Sequence, residues 1–268
     1  MQVAGKVIVV VGGGNGIGRE VVLELVRRGA MVAVVDVRQE ALEETAALAA
    51  AGDRLHTLQV DITDREAVAT LPGQVADTLG PADGLINVAG IIQPFVRLVD
   101  LDHQAIERVL AVNLCCTLHT VKAFLPHLLG RPVAHITNVS SMGGFVPVPG
   151  QTIYGASKAA VKLMTEGLYA ELRDSNVQVS LVFPGAVRTE ITENSGVDRG
   201  DTASSQQGGR YPMTEPKEAA RTIVDGMASD RYHIYVGRDA RLMNLLNRLA
   251  PRRSAHLIQR QMKRLLDT

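Results

Sequence analysis

A tyrosine and a lysine four residues apart, Tyr154 and Lys158, are the pair in this sequence best suited to acid–base chemistry. The spacing places both side chains on one face of a helix. A phenol with a pKa near ~10 is a poor base at neutral pH, and an adjacent ammonium lowers that pKa because it favours the phenolate. The same spacing also occurs by chance in ordinary helices, so the pair needs a site around it.

Two further polar residues could complete such a site. Ser141 follows the apolar run that ends in Asn138-Val139-Ser140, and its hydroxyl could hold a substrate oxygen. Asn113 lies inside a helical pattern, where asparagine is a mediocre helix former and usually makes a specific hydrogen bond.

A glycine-rich turn near the N-terminus predicts a phosphate site. Residues 7–11 form a β-branched run, glycines follow at 12, 13, 14, 16 and 18, and an amphipathic helical pattern covers 19–28. Such a turn directs backbone N–H groups and the positive end of a helix dipole at one point, where a pyrophosphate can bind. The spacing differs from G-x-G-x-x-G, and a tight turn without a ligand could have the same composition.

Asp36, eighteen residues beyond Gly18 at the end of the second predicted strand, suggests which nucleotide binds. A carboxylate there can accept both ribose hydroxyls of an adenosine and would repel a 2′-phosphate. Arg38 could accommodate that phosphate, whereas Asn15 brings no positive charge to the glycine turn. We therefore expect NAD(H) rather than NADP(H), with a purely structural strand-end aspartate as the alternative.

The elements that position these residues alternate between strand and helix with short connections, which is typical of βαβ units in a parallel sheet. The sequence predicts strands at 7–11, 31–35, 55–60, 84–88, 133–139, 177–183 and 232–236, and helices at 19–28, 39–51, 64–79, 102–129, 153–173 and 216–228. We expect a single domain, with a core of residues 5–237. The polar stretch 194–212 predicts a mobile loop, and the overlapping segment of about residues 190–211 is expected to be a substrate lid.

Composition excludes several classes of protein. With 28 basic and 28 acidic residues, no net charge argues for a nucleic-acid partner. No leader pattern and no apolar run of ~18 residues are present, so we expect a cytoplasmic location. Cys115 and Cys116 are adjacent in a helical pattern, which fits small buried apolar residues and neither a disulfide nor a metal site.

In combination, these residues make the chain similar to the short-chain dehydrogenase/reductase family from Gly5 to about Val236. Ser141 and Tyr154 are thirteen residues apart, a spacing common in the family. Two departures, Val11 for threonine and Val88 for asparagine, concern the structure of the turn rather than the chemistry. The matching stretches are Gly12-xxx-Gly16-Ile17-Gly18, Asp61, Asn87-Val88-Ala89-Gly90, Asn113, Ser141, Tyr154-Gly155-Ala156-Ser157-Lys158 and Pro184-Gly185-xxx-Thr189.

The resemblance implies an α/β, Rossmann-type, doubly wound seven-stranded parallel sheet with helices on both faces. It also implies an oxidoreductase that interconverts a secondary alcohol and a ketone, with Tyr154 as general acid/base. Lys158 would lower the pKa of Tyr154 and bind the nicotinamide ribose, and Ser141 would position the substrate oxygen. Asn113 would hold a water that links Lys158 to solvent.

By the same resemblance, the cofactor would contact Gly12, Asn15, Gly16, Ile17, Gly18, Asp36, Arg38, Asp61, Ile62, Asn87, Ala89, Gly90, Tyr154, Lys158, Pro184, Gly185, Val187 and Thr189. The expected substrate walls are Gln93, Ser141, Met142, Phe145 and Val148. These walls are mostly apolar, which favours a lipophilic, steroid-like or fatty-acyl substrate. The alternatives are an NADP(H)-dependent ketoreductase, an epimerase or dehydratase, and a non-catalytic dinucleotide-binding regulator.

The C-terminal tail, residues 238–268, is basic although the whole chain is neutral. It carries eight basic residues against Asp239 and Asp267, and its leucines recur at helical spacing on both sides of Pro251. Such helices suit either protein packing or an anionic membrane surface. We expect packing on protein, in a homotetramer or homodimer, with membrane contact as the less favoured alternative. The basic residues are Arg238, Arg241, Arg248, Arg252, Arg253, Arg260, Lys263 and Arg264.

Overall fold

A computed structural model describes residues 1–189, 191–197 and 213–262, with the side chain of Gln261 excepted. In these ranges the chain forms one seven-stranded, all-parallel sheet in the order β3-β2-β1-β4-β5-β6-β7, which confirms the predicted fold. The strands are β1 Val7–Val11, β2 Met31–Asp36, β3 Leu55–Gln59, β4 Gly84–Asn87, β5 Ala134–Val139, β6 Val177–Pro184 and β7 His233–Val236. The order reverses between β1 and β4, and ligands bind at the carboxyl ends of strands beside such a switch point.

Helices cover both faces of the sheet. They are α1 Gly16–Arg27, α2 Gln39–Ala49, α3 Arg65–Leu79, α4 His103–Leu110, α5 Cys116–Leu129, α6 Thr152–Glu171, α7 Ile191–Asn194, α8 Pro216–Ala228, α9 Arg238–Leu249 and α10 Pro251–Met262. Along β1, Ile8 and Val10 enter the core beneath α1 and α8, whereas Val7, Val9 and Val11 enter the core beneath α3 and α5. Burial on both faces explains why β1 is apolar without interruption.

The predicted long helix 102–129 is interrupted, which corrects the sequence-based expectation. Between α4 and α5, residues Ala111–Cys115 form a wider π-helical turn that contains Asn113. Such turns are often found at functional sites because the extra residue redirects a side chain.

The segment His103–Leu129 is long and apolar enough to cross a membrane by composition alone. Its residues Asn113, Phe124 and Leu128 are fully buried in the fold. Cys116 is buried as expected, and burial raises the pKa of its thiol to about 12, whereas Cys115 is exposed, contrary to expectation. Among the described residues no cluster of side chains could hold a metal ion.

The tail helices α9 and α10 pack against the segment that follows β5. Met243 and Ile258 form a small core with Val146, and Met142 and Phe145 lie against it. Only residues 191–197 of the expected lid lie within the described ranges, as α7 and the turn after it, and the rest lies outside them. The lid therefore stays a prediction.

Candidate active site

The glycine turn between β1 and α1 forms a cradle that side chains would fill. Gly12 has φ +82°, and a Cβ there would lie 2.6 Å from the Ala89 backbone nitrogen. A Cβ on Gly14 would lie 2.7 Å from Asp36 Oδ2. The Asn15 side chain caps α1 by accepting from the Gly16 amide. The turn therefore leaves backbone and a helix N-terminus facing the cleft, which suits a pyrophosphate.

The turn is braced on its carbonyl side by residues that the sequence reasoning missed. Arg19 donates from Nε and Nη2 to the Gly14 carbonyl oxygen at 3.1 and 2.7 Å. Thr45 Oγ1 donates to the Gly13 carbonyl oxygen at 3.2 Å. These contacts stabilise the turn although Val11 lacks the hydroxyl usual in related sequences.

A cleft of about 510 Å³ opens above this turn at the carboxyl ends of the strands. Its lining suits a dinucleotide, because the glycine cradle lies in its wall and Asp36 and Asp61 are also present. Most of the expected cofactor residues contribute to its lining: Gly12, Asn15, Gly16, Ile17, Gly18, Asp36, Arg38, Asp61, Ile62, Ala89, Gly90 and Thr189.

The Asp36 carboxylate is fixed at this cleft by backbone donors. Its Oδ2 accepts from the Gly14 amide at 2.9 Å, and its Oδ1 accepts from the Arg38 amide at 3.2 Å. The Arg38 guanidinium turns to α7 and donates to Asn194 Oδ1 at 2.9 Å. Both candidate determinants of nucleotide choice therefore lie at one end of the cleft.

Tyr154 and Ser141 meet in the structure. Ser141 Oγ accepts from the Gly143 amide at 3.0 Å, and a Cβ on Gly143 would lie 3.4 Å from that oxygen and 3.3 Å from Tyr154 Cε1. Burial raises the pKa of Tyr154, and the Ser141 hydrogen bond opposes that rise. From the spacing we expected Lys158 to lower the pKa of Tyr154. The protein groups in this structure do not lower it.

Lys158 is buried and points beneath the cleft. Its Nζ donates to the Val139 carbonyl oxygen at 3.1 Å, and a Cβ on Gly90 would lie 2.9 Å from that nitrogen. Burial lowers the pKa of Lys158 to about 8, because a buried ammonium loses its hydration. Glycine at 90 is needed to leave room for the ammonium.

Asn113 ties α6 to the chain that follows β4. Its Oδ1 accepts from the Ile91 amide at 2.8 Å, and its Nδ2 donates to the Ile91 carbonyl oxygen and to Ser157 Oγ. Ser157 in turn donates to the Tyr154 carbonyl oxygen at 2.7 Å. The π turn thus fixes the helix that carries Tyr154 and Lys158, whereas the expected water relay stays a prediction.

Comparison with known proteins identifies the family. A model of the family described as short chain dehydrogenase matches residues 6–200. The chain belongs to the short-chain dehydrogenase family. It is 35% identical over 252 residues to a protein named oxidoreductase SadH of Mycobacterium tuberculosis, covering 91% of each chain. It is also 32% identical to 1-deoxy-11-beta-hydroxypentalenate dehydrogenase of Streptomyces exfoliatus, covering 90% of this chain and 86% of that one.

Solved structures from the same family bind either nicotinamide dinucleotide. A Burkholderia phymatum short chain dehydrogenase/reductase in complex with NAD has a TM-score of 0.81 at 27% identity, covering 93% of this chain and 96% of that one. A Burkholderia cenocepacia short chain dehydrogenase in complex with NADP has the same TM-score and identity, covering 96% of this chain and 99% of that one. The chain is therefore an oxidoreductase with a family site for NAD or NADP.

In this short-chain dehydrogenase, the expected substrate contact of Gln93 stays a prediction, and the structure gives its acceptor oxygen another partner. The residue is fully buried, and its Oε1 accepts from the amides of Ile153 and Tyr154 at 2.8 and 3.0 Å. These amides belong to the first turn of α6, whose N–H groups have no partner within the helix. Gln93 therefore stabilises the start of the helix that carries Tyr154.

Six expected cofactor residues are outside the lining of the cleft: Tyr154 and Lys158, described above, and Asn87, Pro184, Gly185 and Val187. Asn87 is buried between strands, donating to Asn138 Oδ1 and accepting from Thr120 Oγ1 at 2.8 Å each. Pro184 is buried, and Gly185 packs against the carboxylate of Asp239. Val187 forms an isolated bridge with Thr214. None of these four residues lines the cleft.

The remaining expected substrate walls, Met142, Phe145 and Val148, lie together beneath the tail helices. Phe145 also contacts Phe183 edge to face, with ring centroids 5.3 Å apart. The tail therefore covers the segment next to Ser141, as we expected for a tail that packs on protein.

Sequence reasoning missed several cleft residues on α4, the π turn and α7. Arg108, Val112, Ile191 and Asn194 line the cleft. Ser195 Oγ accepts from the Ile92 amide at 2.9 Å, which holds the end of α7 against the opposite wall. These contacts join distant parts of the chain and leave no local sequence pattern.

Proposed function

We propose that this protein is an NAD(H)-dependent short-chain dehydrogenase that interconverts a secondary alcohol and a ketone on a lipophilic substrate. The observation that carries the proposal is that Tyr154 and Ser141 lie side by side, since a Cβ on Gly143 would be 3.3 Å from Tyr154 Cε1 and 3.4 Å from Ser141 Oγ. Lys158 and Asn113 lie on the same side, each held by backbone contacts. A binding protein without catalysis has no need of this arrangement.

When bound, the dinucleotide would accept a hydride from the carbon of the alcohol or donate one to the carbon of the ketone. Tyr154 takes the alcohol proton during oxidation and returns it during reduction. The Ser141 hydroxyl holds the substrate oxygen within reach of the phenol and stabilises charge that develops there.

Lys158 supports the ionised phenol. A charged ammonium four residues along the helix would favour phenolate, whereas burial raises the pKa of Tyr154. Because the pKa of Lys158 is itself lowered to about 8, its positive charge declines as pH rises through that value. Asn113 keeps α6 in register by its bonds to Ile91 and Ser157.

The preference for NAD(H) rests on Asp36. Its carboxylate lines the cleft and is held in place by the Gly14 and Arg38 amides. A carboxylate there accepts ribose hydroxyls and repels a 2′-phosphate. The Arg38 guanidinium, which favours the opposite choice, is engaged with Asn194.

A lipophilic substrate is supported by the side chains next to Ser141. Met142, Phe145 and Val148 are apolar, and the tail adds Met243 and Ile258 to the same cluster. The relative named for an 11-beta-hydroxy compound has a substrate with a hydroxyl of the proposed kind.

A panel of lipophilic secondary alcohols, assayed with NAD⁺ and NADP⁺ by absorbance of the reduced cofactor, tests the proposal. Tyr154→Phe should lower turnover by about 10²-fold or more, with cofactor affinity little changed. Tyr169→Phe removes a hydroxyl from the same helix and serves as the control. Near-normal turnover of Tyr154→Phe, or no activity with any alcohol or ketone, would contradict the proposal.

A further inference from the structure

The two tail helices have an inner face that the fold buries and an outer face that it leaves open. On the inner face, Ala240, Met243, Ser254 and Ile258 are buried against the rest of the protein. On α9 the outer face carries Leu242, Leu245 and Leu249, with exposed fractions of 56, 56 and 76%. Residues three and seven apart lie on one side of a helix, so these leucines form one apolar stripe. We call it the leucine stripe.

The helix that carries the leucine stripe and the helix that follows it are rich in arginine. The described tail, residues 238–262, contains six arginines and one acidic residue, Asp239. All six arginines are exposed, and none forms an ion pair within the described ranges. The carboxylate of Asp239 is engaged, since it accepts from the Ala186 amide at 2.7 Å. The arginines are Arg238, Arg241, Arg248, Arg252, Arg253 and Arg260.

The charge decides which partner fits this surface. A two-fold contact with a second copy would place the same surface on both sides, so arginines would face arginines without acidic partners. A nucleic-acid backbone would pair with the arginines but would leave the leucine stripe in water. An anionic bilayer matches both features, because lipid phosphates pair with arginines while the leucines enter the acyl boundary.

We propose that α9 and α10 dock this protein peripherally on an anionic phospholipid surface, with the leucine stripe inserted and the arginines on the headgroups. The inner face of the same helices covers Met142 and Val148, so docking would place the expected substrate side next to the bilayer. A lipophilic substrate is concentrated there. That last consequence rests on the proposed function, whereas the docking itself does not.

Flotation of the full-length protein with vesicles tests the proposal without cofactor or substrate. We expect binding to phosphatidylcholine vesicles that contain phosphatidylglycerol, little binding to phosphatidylcholine alone, and weaker binding as salt increases. Leu242→Gln/Leu245→Gln/Leu249→Gln and Arg241→Gln/Arg248→Gln/Arg252→Gln should each lower the partition coefficient at least about tenfold.

Matched controls make the same chemical changes elsewhere. Leu48, Leu98 and Leu163 are exposed by 56, 51 and 70%, and their triple glutamine variant should bind vesicles like the unmodified protein. The exposed Arg65, Arg97 and Arg173 provide the corresponding charge control. Binding that ignores phosphatidylglycerol, or tail variants that bind as well as the controls, would overturn the proposal. The proposal would also fail if the unmodified protein did not bind vesicles and the leucine-stripe variant had a lower oligomeric mass by light scattering. That result would assign the leucine stripe to contact with a second copy.

Discussion

Gln93 acts on the catalytic helix through two hydrogen bonds that it accepts. Its Oε1 is the acceptor for the amides of Ile153 and Tyr154, whereas its Nε2 has no partner among the described residues. The acceptor is therefore the part of the side chain that stabilises α6. A polar residue near the expected pocket predicted substrate contact, and nothing local in the sequence could reveal the helix start sixty residues later.

Gln93→Met keeps the length of the side chain and removes the acceptor. We expect the free energy of unfolding to fall by about 1–3 kcal/mol, because two partly buried N–H groups lose their partner. Turnover should also fall, since Tyr154 shifts with its helix, while cofactor affinity stays the same. Chemical denaturation and steady-state kinetics measure both effects, with the exposed Gln104→Met on α4 as control. Stability equal to that of the control would show that the two bonds do not support α6.

A second buried residue, His135 on β5, makes stability depend on pH. Its Nε2 lies 2.9 Å from Ser180 Oγ, and Ser180 donates its own proton to the Arg231 carbonyl oxygen, so Nε2 donates to Ser180. Its Nδ1 lies 3.3 Å from Asp230 Oδ1. Burial lowers the pKa of His135 to about 4, and the nearby Asp230 carboxylate only partly opposes this.

Acidification from about pH 6.5 to about pH 4 should therefore destabilise the fold through His135. In that window the unfolded chain binds a proton that the folded chain excludes, so the contribution is complete above it and is lost as pH falls. Urea denaturation of the unmodified protein and of His135→Gln at several pH values measures the difference. The variant should lose less stability on acidification, and parallel losses would remove His135 from the account.

At the level of elements, the turn between β2 and α2 should decide between NAD and NADP. Asp36 both accepts from Gly14 and presents charge to the cleft, so Asp36→Ala would disturb the turn and the charge together. Asp36→Asn keeps one acceptor oxygen, which can serve the Gly14 amide, and removes the charge together with the Arg38 ion pair at 3.8 Å. We expect this variant to reduce the ratio of kcat/KM for NAD⁺ to kcat/KM for NADP⁺ about tenfold or more, because the repulsion of the 2′-phosphate is lost.

Asp53→Asn, an exposed change of the same kind away from the cleft, is the matched control. An unmodified protein that prefers NADP⁺ would contradict the role given to Asp36 and direct attention to Arg38. An Asp36→Asn ratio equal to that of the control would also contradict it, because the charge would then have no part in the choice.

Most elements could be predicted because their patterns are local. The apolar runs give the strands within about one residue at either end, and Gly12, Gly16 and Gly18 give the turn before α1. The π turn around Asn113 could not be predicted, since one additional residue in a helical turn leaves the apolar pattern almost unchanged. Its only signal was an asparagine in an otherwise good helix.

At the scale of the whole molecule, the sequence reasoning failed where contacts join distant residues. Asn87 meets Asn138 across the sheet, and Asp239 holds Ala186 beside β6. Asn87 was assigned to the cofactor and Asp239 was given no role, because the partner of each residue is about fifty residues away in the sequence. The homo-oligomeric state and the cytoplasmic location stay predictions.

The tail packs on the residues expected to form the substrate walls, and two neighbouring residues on α10 allow this packing to be tested separately from changes at the surface. Ile258 is buried against Val146 and Met243, whereas Leu257 is 40% exposed. Ile258→Ala removes packing beneath the tail, which should loosen Met142 and Val148 and raise the KM of a lipophilic substrate about tenfold. The KM of the cofactor should stay unchanged, because the tail core lies apart from the residues that line the cleft.

Leu257→Ala removes a similar number of carbon atoms from the exposed side and should leave both KM values unchanged. Deletion of residues 251–268 should reproduce the effect of Ile258→Ala, since it removes α10 but keeps Asp239 on the Ala186 amide. Steady-state kinetics with substrate and cofactor varied in turn distinguish the cases. Equal effects of Ile258→Ala and Leu257→Ala, or a rise in the KM of the cofactor alone, would show that the tail does not shape the substrate side.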